Sequence, residues 1–221
     1  MRSDLEHPVV CYVTDGHGFL PRERQLRIFR QIKVALDAGA DWIQIREKDL
    51  SAKLLLGLTR EAVALAQHAG SARIIVNGRL DVALAARARG VHLGAETIPA
   101  DAVTEWRETS GIFSELLLGV SCHGVEDAKN AEAAGANYIF FGPVFETPTK
   151  RRFGKPQGVD RLGEVCRAVS IPVLAIGGID ESNAERCLRA GAKGVAAIRL
   201  FQEGRSPETL RQIVRRMHSL G

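Results

Sequence analysis

Aromatic residues make up only 5% of this chain, too few to lay out the stacking platforms that hold single-stranded nucleic acids. The four cysteines, Cys11, Cys122, Cys166 and Cys187, form neither a CxxC pair nor a zinc-type spacing, and three of them fall inside apolar strand or helix patterns. Reduced thiols in a cytoplasm are therefore expected. No apolar run approaches the ~20 residues of a membrane span. The first residues, MRSDLEHP, are polar and lack the apolar core of a secretory signal. Strong charge of one sign is missing as well: the net charge of +4 is dispersed, except at Lys150-Arg151-Arg152 and Lys155. Small phosphorylated ligands are thus favoured over nucleic acid or membrane partners.

What remains is an ordinary globular composition, 45% hydrophobic and 25% charged over 221 residues, enough for one well-buried core and one domain spanning residues 1–221. Short apolar, β-branched runs recur along it: VVCYVTD, DWIQIRE, RIIVNG, GVHLG, LLLGVSC, YIFFGPV, PVLAIGG and GVAAIRL. Helical spacing fills segments between them, such as Arg24 to Ala38, Ala52 to Ala69, Val125 to Ala134 and Asn183 to Ala190. The phrases AGAD, AGAN and AGAK each close a helix on glycine just before a strand. This alternation predicts a single (β/α)₈ barrel, with helices wrapped around eight parallel strands. An open doubly wound sheet is the runner-up, but no GxGxxG follows the first strand.

Chemistry in such a barrel belongs at the C-terminal ends of the strands. Paired glycines, Gly177 and Gly178, end the seventh strand, and Ile198-Arg199 ends the eighth, a pattern suited to backbone and guanidinium contacts with a phosphate. In QIREK, the period of two puts Gln44, Arg46 and Lys48 on one face and Ile45 and Glu47 on the other. A polar face on a buried strand is costly unless it looks into a site. Asn77 ends the third strand. Thr147, Thr149 and Lys150, in the long connection after the sixth strand, are suited to an anion. Among the histidines, His7 lies in the tail, His17 in the first loop, and His68 and His218 on helices. His92 suits a strand position with a satisfied ring. His123 follows the fifth strand beside Ser121, at the mouth, where an imidazole can take and return a proton at neutral pH.

Together, YVTD, QIREK, NGRLDVAL, GVHLG, GVSCH, FFGPVFETPTK, AIGGI and GVAAIRL resemble the thiamine phosphate synthase superfamily from Tyr12 to about Phe201. That resemblance implies one of two activities on the same barrel. The synthase joins a pyrimidine diphosphate to a thiazole phosphate with magnesium; the thiazole tautomerase aromatises a thiazole carboxylate phosphate without metal. The synthase pattern carries aspartates after strands three and four that hold the magnesium, and here Asn77-Gly78 and Gly94-Ala95-Glu96-Thr97 stand in their place. This departure favours the tautomerase, with His123 as acid and base, Arg46 or Lys48 near the substrate carboxylate, and no metal or cofactor. QIREK and TPTK, which contact the diphosphate in the synthase, keep that enzyme as the alternative, with magnesium only in that case. Arg199 departs from the serine common in the family. A barrel that binds thiamine-related phosphates without turnover is a third reading, and the resemblance also implies a small homo-oligomer.

Overall fold

The structure is a computed structural model that describes residues 6–17, 21–70, 72–111, 115–147, 156–202 and 204–220. Eight strands pair in parallel, each with its neighbours in sequence, and the eighth closes on the first. They are β1 (Val9–Val13), β2 (Trp42–Ile45), β3 (Arg73–Asn77), β4 (Gly90–Leu93), β5 (Leu117–Cys122), β6 (Tyr138–Phe141), β7 (Val173–Ile176) and β8 (Gly194–Ala197). Each lies inside one of the apolar runs of the sequence. Continuous Val/Ile/Leu runs of this kind are what a strand needs when both its faces are covered, as they are here.

Around the barrel run α1 (Pro21–Asp37), α2 (Ala52–Ala69), α3 (Leu80–Ala85), α4 (Ala100–Ser110), α5 (Val125–Ala133), α6 (Gly158–Ala168), α7 (Ala184–Arg189), the single turn α8 (Arg199–Gln202) and α9 (Pro207–His218). The three glycine-closed helix ends are as expected. Gly39, Gly135 and Gly191 have φ of +93°, +83° and +107°, values an L side chain resists.

Strand alternation divides the core in two. Val9, Cys11, Val13, Trp42, Tyr138, Phe140, Leu174 and Ala196 fill the inside of the barrel. Ile43, Ile45, Val76, Val91, Leu118 and Ile139 point outward and pack beneath the helices. Cys11, Cys122 and Cys187 are buried, Cys166 is partly buried, and all four are free. Burial pushes the Cys122 and Cys187 thiols up to about 12 and Cys166 up to about 11, so these thiols stay protonated and unreactive. No helix among the described residues is long and apolar enough to cross a membrane.

Candidate functional site

The inward-facing positions at the C-terminal ends of the strands carry the polar side chains that the alternation in QIREK anticipated. Gln44 is 2% exposed and donates from Nε2 to Asn77 Oδ1 at 2.9 Å, so the ends of the neighbouring strands β2 and β3 are tied together. Its Oε1 is buried and has no hydrogen-bond partner. Arg46, partly buried two residues on, is held through its backbone N–H by the hydroxyl of Thr14 at 2.9 Å.

Beside Asn77, as its register partner on β4, stands His92. Its Nε2 lies 2.9 Å from Ser121 Oγ and its Nδ1 lies 3.2 Å from the Tyr138 hydroxyl. Burial first, and then the positive charge of Arg46, push its pKa down to about 3. It is a neutral, hydrogen-bonded strand histidine, as the sequence pattern suggested, and no general base. Ser121 is thereby committed to His92.

His123 differs in setting. Just past the end of β5, its backbone N–H donates to Asp127 Oδ2 at 2.9 Å, in the first turn of α5. Its ring Nδ1 lies 2.6 Å from the carbonyl oxygen of Gly142. An oxygen that can only accept puts the proton of the neutral ring on Nδ1, which leaves Nε2 with a free lone pair. That is the tautomer a proton-abstracting histidine requires.

Glu47, on the outward face, is buried to 4% exposure. Its Oε2 accepts from Arg24 at 2.8 Å and from the backbone N–H of Gly16 at 3.1 Å. Arg24 also pairs with Asp49, whose carboxyl it holds down at about 2. This network clamps the loop after β1 to the end of β2. Sequence reasoning missed Arg24, which on a helix looked like one more solvated cation. The signal was Glu47 itself, an acid on the covered face of a barrel strand, which requires a partner.

The remaining candidates are placed less tightly. Lys48 is exposed and 3.8 Å from Glu96. Ile198 packs against the inner core, and Thr147 is partly buried beyond β6. Thr149 and Lys150 lie outside the described residues. Gly177 and Gly178 have φ of +99° and +66°. A Cβ on the first would come within 2.6 Å of Pro143, and on the second within 2.5 Å of the Glu146 carbonyl. Close packing of the segment after β6 therefore accounts for glycine at both positions by itself. Arg199 is exposed and borders a hollow of about 150 Å³, together with Asp180, Ser182 and Arg205. Larger hollows, of about 530 Å³ between α1 and α2 and about 400 Å³ beside Ile74 and Arg89, contain none of the lumen groups.

Magnesium demands hard, charged oxygens. At the ends of β3 and β4, Asn77 spends its Oδ1 on Gln44, and position 78 is a glycine at φ +70°. Thr97 folds its hydroxyl back on Gly94, donating to that carbonyl at 2.7 Å. Glu96 is 91% exposed. These residues do not fit a magnesium site of the kind the synthase resemblance implies.

The family model described as thiamine monophosphate synthase matches residues 10–201. A relative from Geobacter sulfurreducens, provisionally named a thiamine-phosphate synthase, is 45% identical over 186 residues, covering 84% of this chain and 83% of its own. A thiamine-phosphate synthase from Roseiflexus sp. is 44% identical over 177 residues, covering 80% and 72%. Among solved structures, a thiamine phosphate pyrophosphorylase from Pyrococcus furiosus superposes with a TM-score of 0.78 at 30% identity, over 97% of this chain and 99% of that one. These names favour the transferase over the isomerase that the missing aspartates suggested.

Proposed function

Because the chain belongs to the thiamine monophosphate synthase family, we propose that it is an enzyme of thiamine biosynthesis that joins a pyrimidine diphosphate to a thiazole phosphate at the barrel mouth. The observation that carries this reading is the buried, unpartnered Gln44 Oε1. A buried acceptor without a donor costs about 1–3 kcal/mol, and an amino group on a pyrimidine supplies the missing N–H. The carboxylated thiazole of the tautomerase reaction offers only acceptors to that position.

In the joining reaction the bond from the pyrimidine methylene carbon to oxygen breaks, and diphosphate leaves with the electron pair. The thiazole nitrogen then bonds to that carbon. Negative charge gathers on the leaving group, and Arg46 and Lys48, in the segment that follows β2, are cations near the mouth that could meet it. Gln44→Leu keeps the volume of the lumen and removes the acceptor. It is expected to lower kcat/KM for the pyrimidine diphosphate about 10- to 100-fold with little change in the KM for thiazole phosphate. A pyrimidine kcat/KM within twofold of the parent would remove Gln44 from this role.

A second reading, tautomerisation of thiazole carboxylate phosphate, is favoured by the poor magnesium fit and by the free Nε2 of His123. There the imidazole takes the proton from the ring carbon that bears the carboxylate and returns it to the exocyclic alkene carbon. His123→Ala then lowers aromatisation by about 10²- to 10⁴-fold. A loss below tenfold speaks against His123 as the base.

A further inference from the structure

The underside of the barrel, where the strands begin, holds a cluster that the mouth chemistry does not use. His7 precedes β1, Asp41 immediately precedes β2, and His218 is the last residue of α9. His218 Nε2 lies 2.9 Å from Asp41 Oδ2, and His7 Nε2 lies 3.9 Å from Asp41 Oδ1. The two imidazole rings lie close together, with centroids 3.9 Å apart and planes tilted by 35°. One ligand atom from each of the three residues falls within 4.8 Å of the others, and among the described residues this is the only such group of three. We propose that His7, Asp41 and His218 form a structural binding site for a divalent transition-metal ion of the zinc class, joining the segment before β1, the entry to β2 and the end of α9.

The donor set selects the metal. Two imidazoles and one carboxylate suit zinc and its first-row neighbours, whereas magnesium and calcium favour oxygen ligands. With metal–ligand bonds of about 2.0–2.2 Å in a tetrahedral site, neighbouring ligand atoms stand roughly 3.3–3.6 Å apart. The separations fall on either side of that spacing, each to a different oxygen of the Asp41 carboxylate: 2.9 Å from His218 Nε2 to Oδ2 and 3.9 Å from His7 Nε2 to Oδ1. Small side-chain adjustments therefore close the site, and the partial exposure of all three residues, 42% at His7 and 22% at the other two, leaves room for a water as fourth ligand.

The surrounding bonds orient the ligands as metal sites require. Asp41 Oδ2 also accepts from the Val10 backbone N–H at 2.7 Å, which fixes the carboxylate. His7 Nδ1 lies 3.2 Å from the Pro8 carbonyl. Donation there leaves the Nε2 lone pair facing a carboxylate, two acceptors that a cation between them reconciles. The ligands come from residues 7, 41 and 218, so an ion would crosslink distant parts of the chain on the face remote from the mouth. Its effect is on stability.

Purified protein stripped with a chelator is titrated with Co²⁺ alone and followed by its visible absorption, then with Zn²⁺ in competition. The expected result is one equivalent bound, displaced by zinc, and a Tm raised by zinc. His7→Ala alters a partly exposed residue, and His218→Gln retains an amide donor toward Asp41. Each is expected to weaken binding at least tenfold and abolish the zinc-induced rise in Tm. Failure of the parent to bind Co²⁺ at one equivalent overturns the proposal. So does undiminished affinity in either folded variant, which would assign the metal to other groups.

Discussion

Burial first, and then the nearby cation of Arg46, keeps the His92 ring neutral, while Ser121 and Tyr138 occupy its two nitrogens. In the unfolded chain a histidine takes a proton near pH 6.5, whereas in the folded barrel it holds off until about 3. Between those values the unfolded state binds more protons, so stability falls as pH drops from 6.5 toward 3, by up to about 1.4 kcal/mol per pH unit. His92→Gln is expected to flatten that decline relative to the parent, as read by urea denaturation at pH 7, 5.5 and 4. An equally steep loss in the variant would show that the slope belongs to other groups. GVHLG alone placed His92 on a strand with a satisfied ring. Its partners were hidden, because Ser121 and Tyr138 meet it only when β4, β5 and β6 come into register.

The strands were legible because each is a short apolar run followed by helical spacing, and the alternation in QIREK anticipated the buried polar Gln44 at the end of β2, but not Lys48, which lies exposed in the turn beyond the strand. The connections were less so. Gly177 and Gly178 suited a phosphate loop, yet their identity follows from contact with Pro143 and Glu146, residues more than thirty positions away whose approach no local pattern encodes. At the ends of β3 and β4 the sequence was explicit. Gly78 and Thr97 lie together, and a Cβ on Gly78 would stand 3.1 Å from the Thr97 methyl. Gly78→Asp combined with Thr97→Asp removes that methyl while adding two carboxylates, and aspartate is among the residues that best tolerate φ near +70°. Calorimetry of the folded double variant is expected to register tighter magnesium binding than in the parent. A folded variant with no heat of binding would locate the metal deficit elsewhere.

At the scale of the whole molecule the barrel separates its tasks. The mouth gathers Gln44, Arg46, Asn77, Ser121 and His123 from three strands, while the underside brings the segment before β1 against the end of α9 through Asp41. Family membership was legible across nearly the full chain. The choice between two reactions was not, because it turns on a buried acceptor and on the side-chain geometry at two strand ends. The most direct measurement supplies the purified protein with pyrimidine diphosphate and thiazole phosphate, and separately with thiazole carboxylate phosphate, each with magnesium or with chelator, and identifies the products. Thiamine phosphate and diphosphate formed in equal amounts from the first pair are the predicted result. Aromatised thiazole from the second substrate with no thiamine phosphate from the first, or binding of either set without turnover, would contradict it.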